Sequence, residues 1–282
     1  MSKKSHLNQM MSKDLGKAKT GCFRLRTHDG HCNLSYEIIR NCWLLDDSTR
    51  QGLRSDVRQV VNKSWGDLGE ALIAHVVDKA KWILLVYKEE KVVGVSAIHK
   101  MGILGRNVYD YELIAVVPEL RGTGMMRRMN DTLFRRIFFD NLIHNKKIVV
   151  ELLFTTANMQ ILGSLAKIAH FIYPDPFKYS QKSKKIPPPD DETWKMAEAF
   201  IRHDVPPGMK IVKDGCVVEG AYDETPWLIY DKAHAPLSMD RVVNEFAATY
   251  LQYHQGLGKK VVVRAKITPG SIVKFYMKLF FK

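Results

Sequence analysis

The stretch from Val108 to Phe139, VYDYELIAVVPELRGTGMMRRMNDTLFRRIFF, constrains this chain more than any other. Residues 108–117 form an aromatic and β-branched run with polar side chains at Asp110 and Glu112, the pattern of a strand. Pro118 has no N–H to give a sheet ladder, so the strand should stop there. Arg121, Gly122, Thr123 and Gly124 follow, and then Met125, Met129, Leu133 and Ile137 recur about a turn apart, which predicts a helix. A strand, a glycine turn and a helix in that order aim free backbone N–H groups and a helix N-terminus at one point. Such a point favours a phosphate.

The same stretch resembles the acyl-CoA-binding motif of the GNAT superfamily of acyl-CoA N-acyltransferases. That motif reads Arg/Gln-x-x-Gly-x-Gly/Ala after a strand commonly ending Val-x-Pro-Glu. Arg121 and Gly124 match it, as do Val116, Pro118 and Glu119, while Met126 stands where a small residue is usual. An ordinary strand-to-helix turn would also use glycine for left-handed backbone, but it needs neither Arg121 nor two glycines. The resemblance implies a mixed α/β fold: a central, mostly antiparallel twisted sheet with one splayed parallel pair, flanking helices and a C-terminal α+β extension. It implies acetyl-CoA or another acyl-CoA as co-substrate, with no metal. The main chains of Ala115, Val116 and Val117 would meet the pantetheine arm, and Arg121, Gly122, Thr123, Gly124, Met125 and Met126 the pyrophosphate. Asn158 matches the asparagine that often starts the second helix of the family.

The rest of the chain can be read in the same terms. Residues 1–20 carry five lysines and little apolar content, which predicts a mobile basic arm. Cys22 to Leu25 is a short strand candidate. Leu34 to Leu45, Asp47 to Lys63 and Asp67 to Lys79 have helical spacing, with Asp46, Asp47 or Ser48 as cap of the second. Trp82 to Tyr87 and Val92 to His99 flank Lys88-Glu89-Glu90-Lys91 and predict a hairpin that the strand from Val108 extends. Lys147 to Phe154 reads as a buried strand and Asn158 to Phe171 as a helix, closing an acyltransferase-like core over 21–171. Residues 172–191 are a Pro- and Lys-rich loop.

Residues 192–282 form the extension. It holds helices at Glu192 to His203 and Ser238 to Tyr253, a hairpin turning at Asp214-Gly215, and a strand from Lys260 to Ile267. Two of its segments, Cys216–Tyr222 and Val261–Ile267, are the candidates for completing the core sheet. A separate subdomain is the alternative. Ser271 to Lys282 would, as a helix, carry lysines four apart beside a broad apolar face, docked on the core or lying on an anionic membrane.

Acyl transfer to an amine needs a base for the amine and a proton for the leaving thiolate. In the superfamily that this stretch resembles, a base often sits on this strand as Glu or Asp, which implies Glu112, nearer the glycine turn, as the first candidate and Asp110, on the same side of the strand, as the second. A solvated carboxylate or salt-bridge partner is the alternative role for each. For the acid, no tyrosine stands about seven residues past Asn158, where the family often has one; Tyr173 and His170 are the available groups. His28, His31 and Cys32 lie close in sequence without any repeated metal-ligand spacing, so no metal site is expected.

The net charge of +13 suits anionic partners: CoA itself, tRNA or an acidic membrane surface. Three functional readings follow. The first is transfer of an acyl group, most simply acetyl, to an amine acceptor. The others are long-chain acyl transfer from CoA or acyl carrier protein, and tRNA binding on the same scaffold. No run of about eighteen apolar residues and no apolar leader is present, and the four cysteines show no paired spacing. A cytoplasmic protein with reduced thiols is expected.

Overall fold

A computed structural model describes residues 19–27, 30–145, 148–204, 209–220, 238–255 and 258–280. The basic arm therefore lies outside the described residues up to position 18, and Lys19 and Thr20 already belong to a strand. The chain divides into two units, one made of residues 1–100 and 111–139, the other of 101–110 and 140–282.

The first unit is a sheet of consecutive strands with helices between them. Strands β1 (Lys19–Thr27) and β2 (Gly30–Arg40) pair antiparallel, with Phe23 opposite Leu34. Helices α1 (Asp47–Trp65) and α2 (Glu70–Asp78) follow, then β3 (Ala80–Lys88) and β4 (Lys91–Ile103). β2 pairs β3 antiparallel through Ile38 and Leu84, and β3 pairs β4 antiparallel through Ile83 and Ala97. β5 (Arg106–Val116) is the neighbour of β4 in the sheet. Asp46 caps α1 through the Thr49 N–H at 2.9 Å, as its position before the apolar periodicity predicts. Leu53, Val57, Val60 and Val61 form that helix's buried stripe.

One expected element is of the wrong kind. Leu34 to Leu45, read as a helix, is the second half of β2 followed by a single 3-10 turn at Cys42–Leu44. Its apolar residues do recur at helical spacing. Even so, β1 on one edge and β3 on the other supply backbone partners along its length, and tertiary pairing overrides a weak local period.

In the second unit, the first residues of β5 pair parallel with β6 (Val150–Thr156), Tyr109 standing opposite Leu152. β6 is apolar and almost wholly buried, as a strand covered on both faces should be. It pairs antiparallel with β10 (Lys260–Ile267) from Val150 opposite Ile267 to Thr156 opposite Val261. The far edge of β10 takes β7 (Phe171–Tyr173) and β9 (Val217–Glu219), and β8 (Lys210–Val212) pairs β9. Of the segment Cys216–Tyr222, Val217–Glu219 is a strand beside β10, and positions 221 and 222 lie outside the described residues. The fold is mixed α/β, mostly antiparallel, with the one parallel pair β5–β6 among the described strands.

Helices α3 (Met125–Asn145), α4 (Met159–Ile168), α5 (Asp191–Asp204), α6 (Arg241–Tyr250) and α7 (Pro269–Phe280) complete the chain. Asp190 accepts from the Thr193 N–H and caps α5. The turn between β8 and β9 is longer than a two-residue hairpin loop, with a 3-10 turn at Asp214–Cys216. The buried side of α6 uses Val243, Phe246, Ala247 and Tyr250. Lys274 of α7 is exposed, as are Val273 and Met277. No helix among the described residues is long and apolar enough to cross a membrane.

Candidate active site

The turn after β5 is held by its own backbone. The Val117 N–H donates to the Val93 carbonyl at 3.1 Å, which keeps the end of the strand on β4. Pro118–Leu120 form a 3-10 turn, closed by Leu120 and Arg121 N–H bonds to the carbonyls of Val117 and Pro118. The Thr123 hydroxyl donates to the Leu120 carbonyl at 2.7 Å. Gly122 and Gly124 then take φ of 75° and 81°, left-handed backbone that side-chain-bearing residues rarely adopt. The α3 ladder starts with the Arg128 N–H on the Gly124 carbonyl.

This geometry leaves the N–H groups of Gly122, Thr123, Gly124, Met125 and Met126 without a partner among the described residues. A helix N-terminus always leaves donors unspent; here the two left-handed glycines add theirs. A Cβ at Gly122 or Gly124 would meet nothing within 4 Å, so the glycines serve backbone angle and outward access, not internal packing. Arg127 and Arg128, on the first turn of α3, are exposed. Free donors, a helix dipole and exposed cations on open ground suit a diphosphate, and the residues present therefore fit a CoA pyrophosphate.

Arg121 is tied to α1 through its guanidinium. Its Nη2 donates to the Ser64 carbonyl at 2.7 Å, in the last turn of α1, where helix carbonyls lack partners and favour a cation. The Ser64 hydroxyl in turn donates to the Val116 carbonyl at 3.1 Å. Ser64 thus ties the end of α1 to both the strand and the turn. Ala115, Val116 and Val117 are buried; the Val116 carbonyl and the Val117 N–H are engaged by these internal bonds.

Helix α3 is seated by the stripe read from the sequence: Met125, Met129, Leu133 and Ile137 are all buried. Met126 points the other way and is 36% exposed, so a large residue at this position costs the core nothing. Tyr111 of β5 lies on the α3 side. Its hydroxyl donates to Asn130 Oδ1 and accepts from the Ser96 hydroxyl at 3.1 Å, and its ring stacks on Phe134 with centroids 6.1 Å apart. Burial pushes the Tyr111 phenol up, out of the range in which it would ionise.

Strand alternation puts Glu112 on the opposite face from Tyr111, with Asp110 two positions earlier. Asp110 is buried at 1% exposure, whereas Glu112 is half-buried. A base must reach its proton, which favours Glu112 over Asp110. Within the first unit, the acceptor atoms of Glu112 and a ring nitrogen of His99 on β4 lie within 4.8 Å of each other. His99 is 2% exposed, and its Nε2 lies 3.0 Å from the Val76 carbonyl of α2. The sequence reading did not single out His99 or Ser64. A histidine at the end of an apolar strand is a faint signal, and nothing in composition marks Ser64.

In the second unit, the Asn158 side chain caps α4, accepting from the N–H groups of Gln160 at 2.9 Å and Ile161 at 3.3 Å. That accounts for an asparagine at this position by helix capping. Tyr173, the last residue of β7, is buried, and burial pushes its phenol up. His170 is exposed, and its N–H donates to the Lys266 carbonyl. Another phenol, that of Tyr253, donates to the Ala157 carbonyl immediately before the α4 cap.

No protein-family model and no curated protein matches the chain. Among solved structures, an acetyltransferase from Escherichia coli that acts on a ribosomal-protein alanine is 12% identical. It covers 52% of this chain and 86% of its own, with a TM-score of 0.35. The IAA acetyltransferase of Bacillus cereus is 17% identical over 53% of this chain and 85% of its own, TM-score 0.32. A GNAT family acetyltransferase of Staphylococcus aureus is 17% identical over 37% and 79%, TM-score 0.27.

Proposed function

We propose that this chain is an acyl-CoA-dependent N-acyltransferase, most simply one that moves acetyl from acetyl-CoA to an amine. The observation that carries the reading is the turn Arg121–Met126: consecutive unpartnered N–H groups, two left-handed glycines with open space over them, and a helix N-terminus directly after β5. Gly122, Thr123, Gly124, Met125 and Met126 would hold the pyrophosphate through their main chains. Arg127 and Arg128 would add charge. Arg121 supports the turn by holding Ser64.

A thioester is already activated, so the protein's task is to orient the two reactants and manage protons. A neutral amine attacks the acyl carbon and the thiolate leaves. Glu112 is assigned the amine's proton because it is half-buried on the strand that runs into the turn. Asp110, at 1% exposure, is the second candidate for that role.

Isothermal titration with acetyl-CoA and CoA tests the binding step. Saturable binding at micromolar ligand is expected, and absence of heat at high micromolar ligand removes the reading. Mass spectrometry of an amine panel incubated with acetyl-CoA and with longer acyl-CoAs then names acceptor and chain length together. A rate that climbs with chain length would replace acetyl transfer by long-chain transfer. Salt-dependent tRNA binding without any CoA binding would replace both.

A further inference from the structure

His99 is a buried titratable group of the first unit that acyl transfer, as described above, leaves unused. A carbonyl oxygen can only accept, so the contact between His99 Nε2 and the Val76 carbonyl places a hydrogen on Nε2. In a neutral imidazole the other nitrogen, Nδ1, then carries a lone pair. Nδ1 is buried and has no hydrogen-bond partner among the described residues. Leaving such a group unpaired costs stability, and an apolar side chain would fill the same space without that cost. The groups facing His99 are chemical. Glu112 lies within 4.8 Å, and the half-buried His75 ring of α2 stands with its centroid 5.8 Å away.

We propose that His99 is the proton acceptor behind Glu112, a positioning residue for the acyl transfer proposed above; the inference rests on that reading. The neutral amine forms its bond to the acyl carbon as the carbon–sulfur bond breaks. One amine proton passes to a Glu112 carboxylate oxygen and from there to the Nδ1 lone pair of His99. The imidazolium so formed keeps its Nε2–H on Val76 and returns its extra proton to solvent on the His75 side. The thiolate takes one proton from solvent, so the balance is one amide and one thiol. Without an acceptor behind it, Glu112 would have to shed its proton directly to water in each cycle. The Val76 bond gives His99 its tautomer, and thereby its direction.

Two measurements test this. Nitrogen NMR of the 15N-histidine-labelled protein without ligand, with the His99 ring assigned by comparison with His99→Gln, should show hydrogen on Nε2 and none on Nδ1. The opposite tautomer overturns the proposal, and this readout needs no activity. In steady-state kinetics His99→Gln should lower kcat about 10- to 100-fold, with the KM for acetyl-CoA within about twofold of wild type. Its pH–rate profile should lose one ionisation relative to wild type. Unchanged kcat and an unchanged profile in a folded variant overturn the relay. So does wild-type activity that rises with added Zn2+ or Mn2+ and a His99 ring signal that moves with them, since the cluster would then be a cation site. Failure to bind acetyl-CoA removes the acyltransferase reading itself. Binding and turnover that ignore His99→Gln remove only the relay.

Discussion

Gly94 of β4 and Met125 of α3 share one space: a Cβ at Gly94 would collide with Met125 Cε and lie 3.3 Å from Met129 Sδ. The absent side chain is what lets the first turn of α3 sit down on the strand. The glycine therefore places the open turn Gly122–Met126 without being part of it. Gly94→Ala should be tolerated by a swing of the Met125 terminus and cost about 1 kcal/mol. Gly94→Val should lift the N-terminus of α3 and cost up to about 3 kcal/mol. Thermal unfolding together with acetyl-CoA titration checks this. The valine variant should lose CoA affinity as well as melting temperature; intact affinity would mean that the turn is positioned by other contacts.

The glycines of the turn should behave differently. The Cβ of a valine at Gly122 or Gly124 meets no described atom within 4 Å, so its main cost to the fold is the left-handed backbone, about 1–2 kcal/mol each. A side chain there would, however, stand in the open space over the unpartnered N–H groups. The double change Gly122→Val/Gly124→Val is expected to leave a cooperative melt and abolish measurable CoA binding in isothermal titration. Binding within threefold of wild type would place the phosphate elsewhere.

The order of elements from Asp47 to Val116 is legible because each one satisfies its local chemistry before tertiary packing acts. Asp46 sits where a cap is needed, the 3.6-residue stripe of α1 is unbroken, and Lys88–Lys91 are polar between two β-rich runs. The α3 stripe is legible for the same reason. β2 is not, since Leu34, Ile38, Ile39 and Cys42 suit a helix face and only the strands on either side decide otherwise. The site divides along the same line. Two glycines that need left-handed backbone are visible in sequence, because few other residues can take that conformation. The approach of His99 to Glu112 depends on the register between neighbouring strands, and so does the hold of Ser64 on Val116 on how α1 docks. Neither has a spacing that a sequence can show.

The cysteines differ by environment. Cys42 and Cys216 are buried, and burial pushes each thiol up to about 12, so neither forms the thiolate needed for reaction near neutral pH. Cys22 is exposed and Cys32 half-buried, both on the β1–β2 hairpin. An aromatic disulfide reagent should label Cys22 and Cys32 in the native protein and reach Cys42 and Cys216 only after denaturant is added. Fast native labelling of Cys42 would mean that the 3-10 turn after β2 opens on the labelling timescale.

Arg264 of β10 is 1% exposed, and it holds the second unit's one described buried guanidinium among acidic partners. Its Nη2 lies 2.6 Å from Glu151 and 3.0 Å from Glu192, while Nη1 donates to the Thr193 hydroxyl at 3.0 Å. Arg106 adds a second cation beside both carboxylates. Glu151→Gln leaves a buried charge short of its closest partner and should cost about 3 kcal/mol. Glu192→Gln acts on a side chain 44% exposed and should cost under about 1 kcal/mol. Burial works to raise the Glu192 carboxyl, but the hydrogen bond and charge of Arg264, with Arg106 and Lys266, outweigh it and hold the group below its ordinary range. A carboxyl depressed in the folded state binds fewer protons folded than unfolded through that range. Its stabilising contribution is therefore complete above the unfolded value and is lost as pH falls through the folded one. Melting temperature measured from pH 7 down to pH 3 should fall for the wild type, and less steeply for Glu192→Gln. Parallel curves for the two proteins would show that Glu192 is not a source of the acid sensitivity.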